Sequence, residues 1–368
     1  MNVENTLIKS THSTGYGVIR IANGEIQSRR HRYPISRYNS YRVAFSCRRR
    51  EAKSYHAVTK TRRQWSEYFR LFYQCLASSY RLRDILEVLA QLLDYDINES
   101  DPDLAERETS PSLALLAVLP NKDSPAFKEI ADSLPGVDLR FAVIRDSFEP
   151  PSSYIIRSVY TGSRTIVNYN EIGEMNFDEF CLSFEALDHH YHHRKLWCHF
   201  EGRIPETTIE CIKYVRRNAN VLISVEVEKP NREGLQELAK EANVVFFSKS
   251  WATSQGYTSA KECLTSQANL LPRTSHLFCT WGADGAVGCD CARNEYVSLP
   301  AWRPEKTNVV DTVGAGDTFI AGILYGLLQH DTDWSLRRIL DFAIRLSGIK
   351  VTSEGLGGLG KLSSILTP

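Results

Sequence analysis

The sequence predicts an α/β layered fold with a mainly parallel central sheet. Three observations carry that expectation. From about residue 84 onward, apolar runs of strand length alternate with stretches that bear an apolar stripe at helical spacing. Several of the runs are apolar throughout, the pattern of strands covered on both faces. A Gly-Ala-Gly-Asp turn at residues 314–317 then joins an extended stretch to a long apolar helix.

The elements follow in order. Residues 85–93 (ILEVLAQLL) set apolar side chains at 85, 86, 89, 92 and 93, one face of a helix. Residues 113–119 form an apolar run ended by Pro120, as a buried strand does. Residues 124–134 read as a helix and 139–144 as a strand. Residues 154–160 and 164–169 flank Thr161-Gly162-Ser163, a hairpin signal. Residues 196–200 read as a strand. Pro205 then opens a helix reaching about Arg217, because proline costs nothing where the first N–H has no partner. Residues 221–227 (VLISVEV), 244–247 and 277–280 are further strands, each preceded by a helical stretch. Residues 286–291 and 295–299 form a second hairpin, and 318–328 and 335–347 are helices.

The first 83 residues are different. The chain as a whole has a formal net charge of zero, 44 Lys+Arg against 44 Asp+Glu. Residues 1–83 hold 17 basic and 4 acidic side chains, so this segment carries +13 and the remainder −13. The segment shows no strand-turn-strand pattern, and only residues 65–76 offer a helical stretch. Two regions are therefore expected: 1–83, an atypical basic segment of doubtful order, and 84–368, a layered α/β domain.

Composition excludes several classes. At 42% hydrophobic and 24% charged, the chain can bury a large core and is not globally disordered. The longest apolar helical stretch, residues 319–328, falls short of the roughly 20 residues of a membrane span. The first residues lack the apolar core of a signal peptide. The nine cysteines include no C-x-x-C pair, so the expected compartment is reducing: the cytoplasm, or mitochondria if the basic segment targets the chain there. Basic clusters interleaved with Tyr and Phe fit contact with a nucleic-acid backbone. No amphipathic basic helix or nucleic-acid module accompanies them, and that reading ranks below an enzymatic one. The run His189-His190-Tyr191-His192-His193 reads as a solvated loop rather than a metal site, since no partner Cys or His pair stands nearby. The tail at 355–360 (GLGGLG) follows a helix, not a strand, which speaks against a dinucleotide fingerprint.

Chemistry concentrates at residues 314–317. Gly314, Ala315 and Gly316 stand at a helix N-terminus, where open backbone amides and the helix dipole favour an anion. An acid beside an anion site makes sense if Asp317 takes a proton while the amides neutralise a phosphoryl group. Taken alone, the same residues also fit an ordinary helix cap.

The longer motif D-T-V-G-A-G-D-T-F at 311–319 resembles the C-terminal signature of the PfkB (ribokinase-like) sugar kinases. Four further segments resemble that family in the same order: H-F-E-G-R at 199–203, S-V-E-V-E-K at 224–229, V-V-F-F-S-K at 244–249, and T-W-G-A-D-G-A at 280–286. The similarity runs from about residue 85 onward and is nearest the family's ketohexokinase-like (fructokinase) members. It implies a three-layer α/β/α sandwich and transfer of the ATP γ-phosphoryl group to a sugar hydroxyl, a ketohexose such as fructose. Asp317 is then the base at the substrate, and residues 314–316 form the anion hole. Arg164 lies near the sugar or the phosphates. Glu226 and Glu228 serve the Mg²⁺–phosphate cluster. Gly282 and Gly285 let the nucleotide lie against backbone, and Ala343 and Ser347 border the adenine. Asp311 matches a position that helps hold a monovalent cation, K⁺. The implied partners are a small-molecule sugar and ATP, with a homodimer formed through lid strands.

The N-terminal part departs from that pattern. The family begins with a strand ending in a sugar-binding Asp, a lid, and a Gly-Gly-x-x-Asn segment opening the first helix. Here Arg81-Leu82-Arg83-Asp84 precedes the helix. The sheet is accordingly expected to lack its first strand and part of the lid. A protein that binds nucleotide with little or no turnover is the alternative reading.

Overall fold

The structure, a computed structural model, describes residues 7–10, 71–75, 80–99, 112–146, 152–157, 164–170, 172–191 and 196–363. The chain divides into two compact units. The smaller comprises residues 1–58 and 153–168, the larger residues 59–152 and 169–368. The expectation of doubtful order over residues 1–83 falls largely outside the described residues.

In chain order the elements are β1 (Leu7–Ser10), β2 (Leu71–Cys75), α1 (Tyr80–Glu99), β3 (Ser112–Leu116), β4 (Val118–Pro120), α2 (Pro125–Ser133), β5 (Val137–Asp138), β6 (Val143–Arg145), β7 (Ser152–Arg157) and β8 (Arg164–Tyr169). They continue with α3 (Phe177–His190), β9 (Leu196–Phe200), α4 (Pro205–Asn218), β10 (Val221–Val227), α5 (Leu235–Lys240), β11 (Val244–Phe247), α6 (Lys249–Ser254) and α7 (Ala260–Leu270). The last are β12 (His276–Thr280), β13 (Ala286–Asp290), β14 (Glu295–Leu299), α8 (Ala315–Gln329), α9 (Leu336–Lys350) and α10 (Leu359–Ser363). The smaller unit is built on a three-stranded sheet, β1-β7-β8, with β1 and β7 antiparallel.

The larger unit is organised by a nine-stranded sheet in the order β14-β13-β12-β11-β10-β9-β2-β3-β5. From β12 to β5 every neighbouring pair is parallel, and β13 and β14 add an antiparallel edge. Alternation along the strands divides the core into two layers. On β10, Ile223, Val225 and Val227 point into the layer of α3 to α7. On β9, Trp197 points the other way, into the layer of α1, α2, α8, α9 and α10, and β11 sends Val244 and Phe246 to that same side. The result is the three-layer α/β/α sandwich that the periodicity and the family resemblance imply.

Two expectations about the first strand are corrected. The sheet position beside β9 is filled by β2, whose five residues pair in parallel with β9 on one side and β3 on the other. No central edge is left open there. Residues 65–76, read as helical, contain this strand. Leu-Phe-Tyr-Gln-Cys has the bulky, aromatic-rich composition that a strand tolerates, and two flanking strands with unpaired backbone groups override a weak helical period. The stretch 139–144 is corrected as well. Arg140 and Asp138 pair at 2.6 Å and Ala142 N–H donates to Leu139 O, so residues 139–142 turn and only Val143–Arg145 extends. Helix α3 was not foreseen. It places His189 and His190 in its last turn rather than in a loop, while His192 and His193 lie outside the described residues. Among the described residues no helix is long and apolar enough to cross a membrane.

Helices α8 and α9 meet closely, since a Cβ on Gly322 would stand 2.9 Å from Ala343 Cα. On another side of α9, a Cβ on Gly348 would run into the Trp302 carbonyl. Gly348→Ala therefore gains about 1 kcal/mol of helix propensity but drives the new Cβ into the Trp302 carbonyl, an overlap severe enough to cost about 3 kcal/mol, the upper end of overpacking. Urea denaturation is expected to show net destabilisation. Gly316→Ala, where a Cβ meets nothing within 4 Å, should leave stability unchanged or raised.

Candidate active site

Strand order locates the site before any side chain is considered. The chain lays down β2, moves to β3 on one side, then returns to β9 on the other. In open parallel sheets ligands bind at the carboxyl ends of the strands where the order reverses, here beside Cys75 and Phe200. Helix α1 starts five residues after Cys75, and Asp84 in its second turn lies close to Gly314. The Gly-Ala-Gly-Asp turn thus reaches the same end of the sheet.

Gly314 caps α8 with φ 76° and ψ 2°, a left-handed conformation that favours glycine. The turn enters the helix abruptly; Ala315 N–H makes a long bond to Thr312 O at 3.4 Å, and the N-terminal end of α8 carries the amides that a helix leaves without intrahelical partners. Ala315 is the first helical residue, and the position a Cβ would occupy on Gly316 is open. Asp317 is buried in the first turn. Thr318 donates its hydroxyl to Gly314 O at 2.8 Å, and Ser347 on α9 donates to Ala315 O at 3.1 Å. Both bonds fix the turn from behind. Asp311 holds the approach: its Oδ1 accepts Val313 N–H at 2.9 Å. Its Oδ2 lies 3.0 Å from Lys350 Nζ.

Glu226 stands one residue before the end of β10, on the face covered by α1, α8 and α9. It is 6% exposed. Its Oε1 lies 3.0 Å from His199 Nε2. His199 Nδ1 lies 2.8 Å from Ser224 Oγ, which is also 2.8 Å from Trp197 Nε1. Donor and acceptor roles follow from chemistry. Burial depresses the His199 pKa to about 3, so the ring is neutral near pH 7. The carboxylate only accepts, so Nε2 carries the proton and Nδ1 accepts the Ser224 hydroxyl. Ser224 in turn accepts from the indole N–H. Gly202 closes the same corner, since a Cβ there would run into the Glu226 carbonyl.

The other expected residues are placed as follows. Glu228 pairs with Lys229 at 3.1 Å, and its carbonyl accepts the hydroxyls of Ser248 and Ser250. Gly282 and Gly285 bracket a single 3₁₀ turn, with φ 63° and 96°. Gly285 packs against the Leu299 carbonyl, and Trp281 N–H donates to Gly285 O at 2.7 Å. Ala343 is fully buried against Gly322 in the α8–α9 contact. Arg164 opens β8 in the smaller unit.

The sequence reading gave no role to His199, Ser224, Lys350 or Asp84. The first two stand inside resembling motifs. Lys350 looks like an ordinary basic residue in a last helical turn, and only the structure shows it buried.

Comparison with known proteins bears on the family and the fold. Residues 130–360 match the family described as pfkB family carbohydrate kinase. Ketohexokinase of Mus musculus is 29% identical over 237 residues, covering 61% of this chain and 73% of the relative. Two solved structures share the fold. Ribokinase from Giardia lamblia has a TM-score of 0.59 at 14% identity, covering 78% of this chain and 88% of that one. Fructokinase with bound ATP from Xylella fastidiosa has a TM-score of 0.57 at 18% identity, covering 78% and 89%. The motif at the start of α8, the strand order and the matched span all lead to one conclusion: this chain belongs to the pfkB family of carbohydrate kinases.

Proposed function

We propose that the chain transfers the γ-phosphoryl group of ATP to a hydroxyl of a ketohexose such as fructose. The observation that carries this reading is the start of α8: a left-handed glycine, an open backbone position at Gly316, and a buried carboxyl at Asp317 within one turn. The sugar hydroxyl gives its proton to Asp317 and its oxygen forms the new bond to the γ-phosphorus. The bond to the bridging oxygen breaks, and ADP leaves with that electron pair. The amide of Gly316, and that of Ala315 once its long bond to Thr312 O yields, oppose the charge that develops on the transferring group. The mouse relative's name, ketohexokinase, supports the sugar class.

The residues fit the two cofactors of such a reaction. The uncrowded helix N-terminus suits the phosphates of ATP. The Glu226 carboxylate, a hard oxygen donor at a strand end, suits Mg²⁺, directly or through water, with Glu228 two residues on. Bound Mg²⁺ would supply charge neutralisation between the phosphates. His199 holds Glu226 with one oriented N–H at 3.0 Å. K⁺ does not fit in the same way, because the Asp311 carboxylate already faces the Lys350 ammonium.

One observation favours a second reading, a nucleotide-binding protein with little turnover. Where the family pattern opens the first helix with glycines, this chain sets Asp84, whose Oδ2 would lie 3.8 Å from a Cβ on Gly314. A carboxylate there opposes a phosphate. β2 also ends in Gln74 and Cys75 with no acid among its residues.

Three measurements test these readings. A coupled assay with ATP and fructose should show turnover that falls about 10²–10⁴-fold in Asp317→Asn while ADP still binds. ADP binding without sugar-dependent turnover would favour the second reading. Asp84→Asn should tighten ADP binding roughly fivefold at low salt by removing the opposing charge, as seen by calorimetry. The third concerns His199, whose folded pKa near 3 lies below its ordinary value. Protonation therefore favours the unfolded chain. Its contribution is complete above about pH 6.5 and is lost as the pH falls toward 3, at up to about 1.4 kcal/mol per pH unit. Urea midpoints at pH 5 and pH 7 should differ less in His199→Phe than in the wild type.

A further inference from the structure

Lys350 ends α9 and is completely buried. Its ammonium lies 3.0 Å from Asp311 Oδ2, 3.2 Å from Asp311 O and 3.5 Å from Ser353 O. Three N–H groups face three oxygens, so the group's donors are accounted for. The same junction is tied a second time through backbone. Val351 O accepts N–H bonds from Val310 at 2.8 Å and from Asp311 at 3.2 Å. The other oxygen of Asp311 orders Val313 N–H, immediately before Gly314. Lys350 Cε itself would stand 3.7 Å from a Cβ on Gly314. One covalently held cation therefore joins the approach to the anion turn, the turn itself and the end of α9.

An oxygen cluster of one carboxylate and two carbonyls has the chemistry of a site for a monovalent cation. An ammonium group has the charge of K⁺ and a similar size, and here it occupies that cluster on the end of a side chain. We propose that Lys350 acts as a built-in cation, a positioning residue that holds residues 311–316 in their anion-binding form, so that this chain needs no K⁺ there. The part that concerns ligand affinity rests on the nucleotide reading above; the part that concerns the cation does not.

The test uses the full chain in KCl, NaCl and choline chloride at equal ionic strength, with melting temperature read without ligand and ADP affinity read by calorimetry. For the wild type, the melting temperature should be the same in all three salts and ADP affinity should vary by less than about twofold. Lys350→Ala should melt lower by roughly 5–10 °C and regain part of the loss in KCl or methylammonium chloride but not in choline chloride. Lys350→Met, which keeps the stem in place, should regain nothing. A rise in wild-type melting temperature specific to KCl, or ADP binding more than about threefold tighter in KCl than in choline chloride, overturns the proposal. So does a Lys350→Ala protein that melts like the wild type. If Lys350→Ala does not fold, the wild-type salt series still decides. If ADP binds in no salt, the nucleotide reading fails while the melting series continues to report on the lysine.

Discussion

The geometry of the site depends on one helix having no solvent face. Every residue of α8 from Asp317 to Leu328 is buried. A helix enclosed in this way has no freedom to tilt or slide, because each displacement opens voids in a close-packed interior. Small residues at Gly322 and Gly326 let α9 come within backbone range, with Ala343 and Ile339 filling the space. α1 packs on another flank and shares the same apolar layer. The helix end is therefore set by packing along its whole length, and the anion turn inherits that rigidity. The phosphate site proposed at this turn would need such rigidity, since backbone amides have no side-chain freedom with which to correct an error in position.

Electrostatics is arranged around that fixed end in two tiers. Groups that touch the turn from behind are paired or neutral: Lys350 with Asp311, Ser347 and Thr318 with backbone carbonyls. Groups at the strand ends are acidic and positioned, Glu226 by His199 and His199 by Ser224. The neutral histidine is important here. A protonated imidazole would form a stronger pair with Glu226 and blunt its charge toward a cation. A neutral ring donates one hydrogen bond and leaves the carboxylate's charge largely in place.

Much of this was legible in the sequence, for physical reasons that differ by element. Strands β9 to β12 and helices α8 and α9 announce themselves because burial on both faces, or on a full stripe, forces long apolar patterns. Helix α3 had readable signals in Phe180, Phe184 and Leu187 at helical spacing behind an Asn176–Glu179 capping box, and a closer reading of residues 176–187 finds it. β2 was illegible because five residues carry no period, and the flanking strands decide their conformation. Lys350 was illegible because a lysine in a last helical turn usually serves the helix dipole in solvent. Its burial depends on Asp311, 39 residues away, which no local pattern encodes. Asp84 shows the same limit: nothing near it in sequence reveals that Gly314 stands beside it.

The contrast between β2 and Asp84 shows that closing the sheet and matching the family's motif at the first helix are separate demands. Filling the slot between β9 and β3 requires only backbone N–H and C=O groups in extended form, which any chain without proline can supply. Leu71–Cys75 meets that requirement, and the parallel sheet is continuous through it. Recognition of a sugar is a different demand. It needs particular oxygens and nitrogens at the strand end and at the start of the next helix, and those are side-chain identities. The sheet is thus tolerant at the position where the site is exacting. A basic, differently patterned segment can therefore complete the hydrogen-bond ladder and leave the start of α8 in place, while its residue identities at 74, 75 and 84 differ from the family pattern.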